Sequence, residues 1–504
     1  MNNNNILKNK DIIFRINNNG YIIPKEYLTD DEIAYIKNKL TVKPFIHEDF
    51  NDIAESFKVF RETKFKLYIP PYFGINNLPW KYEYKFNKGL AAPNLVFNGQ
   101  LREYQISGIK TILEYYQKQN SNAQASGLLK VGCGWGKTVG ALYVASILKL
   151  KTLVVVHKDF LIGQWKERIE QFIPTAKIGI IQANKFDIED KDIVFGMLQS
   201  LSLKYYPKDV FADFGFTIYD ECHHLGAKMF SNALSLTSTK YQLGLSATPK
   251  RKDGLTKVFE WYLGPILYTY KRKINYDVIV KCINFRDPSL KVRTNMYGKV
   301  FTPAMITDLV QNDDRNKLII SNLIDLVREN RSILVLSERK DHLKLLKEQV
   351  DKQDQSKQIK TGFYIGGLKQ KVLKESEKAD IIFATMQMAN EGLDIKKLNT
   401  LVFATPKPDV EQMVGRILRK DKYEENDLLP LIIDIKDNYS IFKRWSKKRL
   451  IYYEKSENGY LIEDYNYVKD KGMINISILE EDIINNHQLS NNANICLISD
   501  DDET

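Results

Sequence analysis

Gly132–Thr138 reads GCGWGKT, and the rest of the chain is read outward from it. Its two ends fit a fixed pattern: a glycine, four residues, then Gly136-Lys137-Thr138. A short apolar segment, GLLKV, precedes it, and an apolar helical run, VGALYVASILKL, follows. Strand, glycine-rich loop and helix in that order is the context a phosphate-binding loop requires. Glycines let the backbone curl so that its N–H groups point at phosphate oxygens. Lys137 is placed to reach the β and γ phosphates and the Thr138 hydroxyl to hold Mg²⁺, while the helix N-terminus adds its dipole. The stretch predicts a nucleotide site that takes ATP and Mg²⁺ on Gly132, Gly136, Lys137 and Thr138.

Such a loop needs an acid at the end of a neighbouring strand. The stretch YDECHHLGAK, Tyr219–Lys228, offers one. Asp220 closes the strand-like run FTIYD and is expected to hold Mg²⁺ through water. Glu221 stands beside it, placed to accept a proton from the attacking water. This is metal-assisted hydrolysis of a phosphoanhydride. Zinc on Cys222, His223 and His224 is disfavoured, because adjacent residues point in different directions and the helical His-Glu-x-x-His spacing is absent. Cys222 has no separate orienting group of the kind a thiol nucleophile needs. The better expectation for His223 is a hydrogen bond across a cleft that senses the γ-phosphate. Ser246 and Thr248 end the run KYQLGLSAT and are expected to pass nucleotide state to nearby elements.

Branched-apolar runs repeat further on: SILVLS, DIIFAT, TLVFAT and LIIDI. With TLVVV and FTIYD before them, they predict two α/β layers of buried parallel strands in tandem. The second carries QMVGRILRK, Gln412–Lys420. Read as a helix, it puts Arg416 and Arg419 on one face. Facing the phosphate loop across a cleft, they would stabilise charge on the transferring phosphoryl group. Thr385 and the loop Asn390–Asp394 are expected to line the cleft and a polymer track.

At 504 residues the chain is too long for one core, and about two or three domains are expected. The formal net charge of +11 suits a polyanionic partner, although solubility alone would also explain it. Four scattered cysteines suggest a reducing compartment and no zinc ribbon. The N-terminal MNNNNILKNKD has no apolar run of the signal-peptide kind, and no segment is apolar enough to span a membrane. The expected divisions are a small mixed α+β N-terminal accessory domain over 1–95, with DNA contact as one reading of it, and an ATP-binding domain over 96–265. A bridge over 266–314, a second α/β domain over 315–465 and a polar, partly disordered tail with an acidic end over 466–504 complete the chain.

The ordered set LREYQ, GCGWGKT, VVVHKDFLIGQW, DECHH, SATP, IIFATMQMANEGLD and QMVGRILR resembles the superfamily 2 helicases and translocases, from about residue 96 to 460. The resemblance implies an α/β fold of two tandem RecA-like domains that couple ATP hydrolysis to movement on DNA or RNA. GLSATPKRKDGLTKVFEWYLGPILY points to the DEAH-like branch with the XPB helicases, the phage UvsW type and the poxvirus transcript-release type. XPB-like enzymes carry Arg-Glu-Asp after this motif; here Arg251, Lys252 and Asp253 stand there, so the central acid is replaced. The family pattern implies that Arg102 and Gln105 contact the adenine side or brace the phosphate loop. It places Gly134 and Asp394 in the nucleotide site, brings Gln412 and Arg416 to the γ-phosphate, and makes Arg419 the second arginine. His157, Gln199, Arg251, Lys252, Thr385 and Asn390 become candidate nucleic-acid contacts. The composition and subtype are similar to those of a large cytoplasmic DNA virus, which implies the host cytoplasm and the virion as locations.

The expected function is an ATP-dependent DNA helicase or translocase in viral transcription or repair, acting as a monomer. Open alternatives are a duplex translocase that separates no strands, an RNA helicase, and the motor of a helicase–nuclease. A scaffold with a relic site is disfavoured, because Lys137, Asp220, Glu221 and Arg416 are all in place.

Overall fold

The computed structural model describes residues 7–475 apart from 46–54, 120–122, 133, 208, 222–226, 248–253, 271–276, 355–357, 392, 394, 419, 421–422, 425, 456–459 and 469–471. The chain divides into two compact units, Met1–Arg272 and Lys273–Thr504. Among the described residues no helix is long and apolar enough to cross a membrane.

The first unit opens with short strands: β1 (Phe14–Asn17), β2 (Gly20–Pro24), β3 (Thr41–Val42), β4 (Phe57–Lys58), β5 (Arg61–Glu62), β6 (Lys66–Ile69) and β7 (Tyr82–Tyr84). Five of them form a mixed sheet in the order β5-β6-β2-β1-β7, with only the β1–β7 pair parallel. The helix Asp30–Lys39 beside it starts at a capping box, in which Thr29 accepts from the Glu32 N–H and Glu32 accepts from the Thr29 N–H. The aromatics of this region are largely core: Phe14, Tyr21, Phe73 and Trp80 are all buried. This small sheet sits on the domain that follows. Phe73 packs edge-on to Trp261 at 5.2 Å, and the Asn18 side chain donates to the Ser238 carbonyl at 2.8 Å.

Eight further strands follow: β8 (Ala125–Val131), β9 (Thr152–Val156), β10 (Ile178–Gln182), β11 (Lys185–Asp187), β12 (Ile193–Met197), β13 (Phe216–Tyr219), β14 (Tyr241–Ser246) and β15 (Ile266–Tyr270). They form one sheet in the order β11-β10-β12-β9-β13-β14-β8-β15, parallel except for the β10–β11 hairpin. Helices cover both faces, so the central strands are buried on both sides and mostly apolar, and their few polar side chains, such as Thr217 and Gln242, are hydrogen-bonded within the core. In β9, Leu153 and Val155 enter the core on one face while Val154 and Val156 enter the core on the other. The strand order brings the C-terminal ends of β13, β14 and β8 side by side, and ligands of open parallel sheets bind at such ends.

The second unit repeats this plan with β16 (Val278–Phe285), β17 (Ile333–Ser337), β18 (Thr361–Tyr364), β19 (Ile381–Thr385), β20 (Thr400–Phe403), β21 (Leu431–Asp437), β22 (Tyr460–Val468) and β23 (Gly472–Asn475). The order is β18-β19-β17-β20-β21-β16-β22-β23, parallel except for the last pair. Two buried ion pairs fix it from within. Arg315 meets Asp437 through two bonds of 2.8 and 3.1 Å, and Arg449 meets Asp434 through two of 2.8 and 2.7 Å. Both α/β cores are RecA-like, as the superfamily resemblance implies; the tandem apolar runs point only to two α/β layers. The residues read as a bridge divide: Ile266–Tyr270 is the edge strand of the first sheet, and Val278–Phe285 lies inside the second. β22 and β23 carry that second sheet into the region read as the start of the polar tail, while residues 476–504 lie outside the described part.

Candidate nucleotide site

The phosphate loop joins β8 to the helix Lys137–Leu148. Gly134 and Gly136 have φ of 80° and 86°, a left-handed conformation that side chains disfavour. A Cβ built on Gly132 or Gly134 would meet nothing within 4 Å, so the loop faces open space wide enough for a ligand to approach its backbone. Gly136 differs: a Cβ there would lie 2.5 Å from the Gln105 side-chain nitrogen. Gln105, buried on the helix Glu103–Lys118, donates to the Trp135 and Gly136 carbonyls at 2.8 and 3.3 Å. Its side-chain oxygen accepts from the Arg102 N–H at 2.9 Å. The amide nitrogen is therefore engaged with the loop, while the amide oxygen caps the start of its own helix. The Arg102 guanidinium is exposed and donates to the Tyr104 hydroxyl at 2.5 Å. Tyr104 stacks on Tyr270 with ring centres 5.6 Å apart.

Opposite the loop, the end of β13 presents the two acids. Lys137 Nζ and Glu221 Oε1 are 2.7 Å apart. Glu221 has φ of 45°, a conformation rare for a residue with a side chain. The neighbouring Asp220 is buried, and its Oδ2 accepts from Trp165 Nε1 at 2.8 Å. Burial first, then the adjacent Glu221, pushes the Asp220 carboxyl up to about 6, against the Trp165 hydrogen bond and the charges of Lys137 and His157. Two adjacent carboxylates, one of them buried, beside a phosphate loop are a donor set that fits a divalent cation. Among the described residues no cluster of three His, Cys, Asp or Glu could hold a metal alone. Thr138 and Asp220 together with substrate phosphates match the sparse protein ligation that Mg²⁺ accepts. Trp165 is a residue the sequence reading quoted inside VVVHKDFLIGQW without assigning it a role.

Other candidates take varied places. His157 is only 6% exposed, and burial, then Lys158, hold its imidazole below the ordinary range. Gln199 is exposed and donates to the His157 carbonyl at 3.0 Å. Ser246 is buried at the end of β14. Cys222, His223, His224, Thr248, Arg251, Lys252, Asp253, Gly392, Asp394 and Arg419 lie outside the described residues.

In the second unit the helix expected over Gln412–Lys420 is shorter. It covers Glu411–Val414 and stops at Gly415, whose lack of a side chain lowers helix propensity. Arg416 and Ile417 then turn through bonds to the Met413 and Val414 carbonyls, so Arg416 stands on a turn and not on a helical face. Its guanidinium is buried and donates to the Leu393 carbonyl at 3.0 Å and to the Asn390 carbonyl. Thr385, at the end of β19, accepts from the Met388 N–H at 3.5 Å. Gln412 is half-buried.

Two family descriptions match: "Type III restriction enzyme, res subunit" over residues 98–251 and "Helicase conserved C-terminal domain" over residues 315–421. The chain is 37% identical over 466 residues to "Putative ATP-dependent RNA helicase L396" of Acanthamoeba polyphaga mimivirus, covering 88% of this chain and 86% of the relative. It is 27% identical over 456 residues to "Putative helicase 161L" of Invertebrate iridescent virus 6, covering 85% and 97%. Among solved structures, a fragment titled as "a putative HsdR subunit of a type I restriction enzyme" from Vibrio vulnificus shares the fold. Its TM-score is 0.53 at 17% identity, covering 76% of this chain and 72% of that one.

Proposed function

This chain belongs to the superfamily 2 helicases, ATP-hydrolysing enzymes that act on nucleic acid, and from that premise we propose that it is a DNA motor of viral transcription or repair. The observation that carries the chemical part is the 2.7 Å contact between Lys137 and Glu221, which joins the phosphate loop to the acid pair. On this reading Lys137 exchanges Glu221 for β and γ phosphate oxygens when ATP enters. Mg²⁺, held by Thr138 and Asp220 with the phosphates, would screen their charge. Glu221 takes the proton of the attacking water as its oxygen bonds the γ-phosphorus and the bond to the bridging oxygen breaks. Gln412, Arg416 and Arg419 supply positive charge and donors to the transferring group. For Arg416 this role means giving up its carbonyl partners at Asn390 and Leu393.

Arg102 is assigned to the adenine side, Gly132, Gly134, Gly136 and Asp394 to the nucleotide, and His223, Ser246 and Thr248 to coupling. Gln199, Arg251, Lys252, Thr385 and Asn390 are the proposed strand contacts. His157 joins them only if the loop around it opens. The branch is proposed as the XPB, UvsW and transcript-release group, on the GLSATPKRKDGL stretch. Relatives in large DNA viruses support a viral origin, with the host cytoplasm as the proposed site of action. An RNA track is the second reading, favoured by the printed name of the mimivirus relative.

The test is steady-state ATP turnover with single-stranded DNA, duplex DNA, an RNA–DNA hybrid or RNA at fixed salt, alongside strand displacement on a forked duplex. Strongest stimulation by DNA is expected. Stimulation by RNA alone overturns the DNA assignment, and a duplex-only response without displacement makes the chain a translocase.

A further inference from the structure

The second unit carries a small apolar cluster away from its main core. It is built on Met305, Ile306 and Leu309 of the helix Thr302–Val310 and on Ile441 and Phe442 of the helix Ser440–Tyr453. Leu290, Val300 and Trp445 pack against it. Two surface features grow from this one base.

The first is a hairpin before the helix Thr302–Val310. Thr294 and Val300 pair antiparallel, and the Phe301 N–H donates to the Arg293 carbonyl at 2.7 Å. The Asn295 side chain accepts from the Tyr297 and Lys299 N–H groups at 3.0 and 3.1 Å, and Gly298 takes the left-handed φ of 73° that closes the turn. Arg293 clamps the hairpin to the helix through two bonds to Asp308, of 2.8 and 3.1 Å. A tip this well fixed would ordinarily carry polar turn residues. Here it exposes Met296 at 89% and Tyr297 at 67%.

The second feature is the outer face of the helix Ser440–Tyr453. Lys443, Arg444 and Lys447 are exposed there at helical spacing, and the helix contains no acid. Lys448 pairs with Asp409 at 2.6 Å, whereas Lys443, Arg444 and Lys447 have no carboxylate partner among the described residues. At the foot of the hairpin Arg286 and Lys291 are exposed and likewise without one.

We infer that the hairpin Arg293–Phe301 and the helix Ser440–Tyr453 form a contact surface for single-stranded nucleic acid, in which Lys443, Arg444 and Lys447 hold backbone phosphates and Tyr297 stacks on an unpaired base. An unneutralised cation row is complementary to a phosphate backbone, and an exposed phenol ring on a hydrogen-bonded turn is a sequence-tolerant platform for a base. A protein partner would want the apolar tip but has no equal use for the row of cations on the helix that shares its base. The inference rests on the reading of the chain as a nucleic-acid motor and adds contacts outside the residues that reading assigned.

The test uses the full chain and a fluorescently labelled oligo-dT strand, with binding followed by anisotropy across a salt series. Tyr297→Ala is expected to weaken binding about 5- to 100-fold, while Tyr297→Phe keeps it. The triple variant Lys443→Ala/Arg444→Ala/Lys447→Ala should lower the slope of log affinity against log salt by about 2. Thermal unfolding of each variant should match the parent, since every altered side chain is exposed. If the parent binds the strand and these variants bind it equally, with the same salt slope, the surface is refuted and the motor reading stands. A Tyr297→Phe loss equal to that of Tyr297→Ala refutes the stacking. If the parent chain neither binds nor responds to any nucleic acid, the motor reading fails and this inference falls with it.

Discussion

Trp165 donates its indole N–H to Asp220 at 2.8 Å, and both residues are buried. The indole belongs to the helix Asp159–Phe172, and its ring also packs edge-on to Phe195 at 6.4 Å. Trp165 therefore sets the direction of a carboxylate it does not help chemically. Trp165→Phe keeps the ring and removes the donor. A hydrogen bond to a charged group contributes about 1.5–3 kcal/mol, so ATP turnover should fall roughly 10- to 100-fold with little change in KM. Steady-state hydrolysis at saturating ATP checks this. An unchanged kcat would mean that other groups fix Asp220.

Gln105 gives a complementary effect on binding. Its amide spans the Trp135 and Gly136 carbonyls, so Gln105→Ala frees both and lets the loop sample shapes that do not fit phosphate. Two neutral hydrogen bonds at about 1 kcal/mol each predict a rise in KM for ATP of roughly tenfold or more. Gln105→Glu should be worse, since a carboxylate has no N–H to donate and would face two carbonyl oxygens. Titration with a fluorescent ATP analogue reads the effect directly. Equal affinity in all three proteins would remove Gln105 from the loop's support.

The second unit should be sensitive to its buried ion pair. Arg315 and Asp437 are wholly buried, and Asp437→Asn leaves the guanidinium charge without its counter-ion. Breaking one partner of a buried pair costs about 3–5 kcal/mol. Chemical denaturation followed by proteolysis should show the second unit opening first in this variant. A loss below about 1 kcal/mol would mean that water reaches the pair and screens it.

Acid should weaken the same unit through His342. This ring is buried between the Ser337 hydroxyl and the Asn316 side-chain oxygen, at 3.1 and 2.9 Å. Burial, then the charge of Arg315, lowers it from 6.5 to about 3. The folded state therefore stays neutral where the unfolded chain takes up a proton. Stability from this group is full above pH 6.5 and is lost as pH falls from there toward about 3. His342 alone contributes a slope of up to about 1.4 kcal/mol per pH unit in that window. Denaturation midpoints measured across it should flatten in His342→Gln. An equal slope in the variant would assign the acid sensitivity to other groups.

The chemistry-bearing loop and the central strands were legible because their signals are local. GCGWGKT needs only its own glycines and flanks, and TLVVV, FTIY and ILVLS are buried on both faces, which their continuous branched-apolar composition announces. The bridge was not legible for a topological reason. Val278–Phe285 pairs with Leu431–Asp437 and Tyr460–Val468, partners far along the chain that no local window contains. Ile266–Tyr270 is an edge strand with a mixed exposure pattern, which weakens its apolar signature. Within the site, Trp165 and Asp220 lie 55 residues apart and Gln105 and Trp135 lie 30 apart, so neither bond has a spacing that could reveal it. QMVGRILRK has helical periodicity, but Gly415 ends the helix early, and periodicity alone does not weigh that cost.

The central claim is that the loop at Lys137 and the acids at the end of β13 form one ATP-hydrolysing centre driven by nucleic acid. The direct measurement is ATP turnover with and without DNA for the parent chain, Lys137→Ala and Glu221→Gln, with ATP binding measured in parallel. The account predicts DNA-stimulated turnover in the parent, loss of both binding and turnover in Lys137→Ala, and binding without turnover in Glu221→Gln. Turnover that survives Glu221→Gln, or that ignores every nucleic acid offered to the parent, would contradict it.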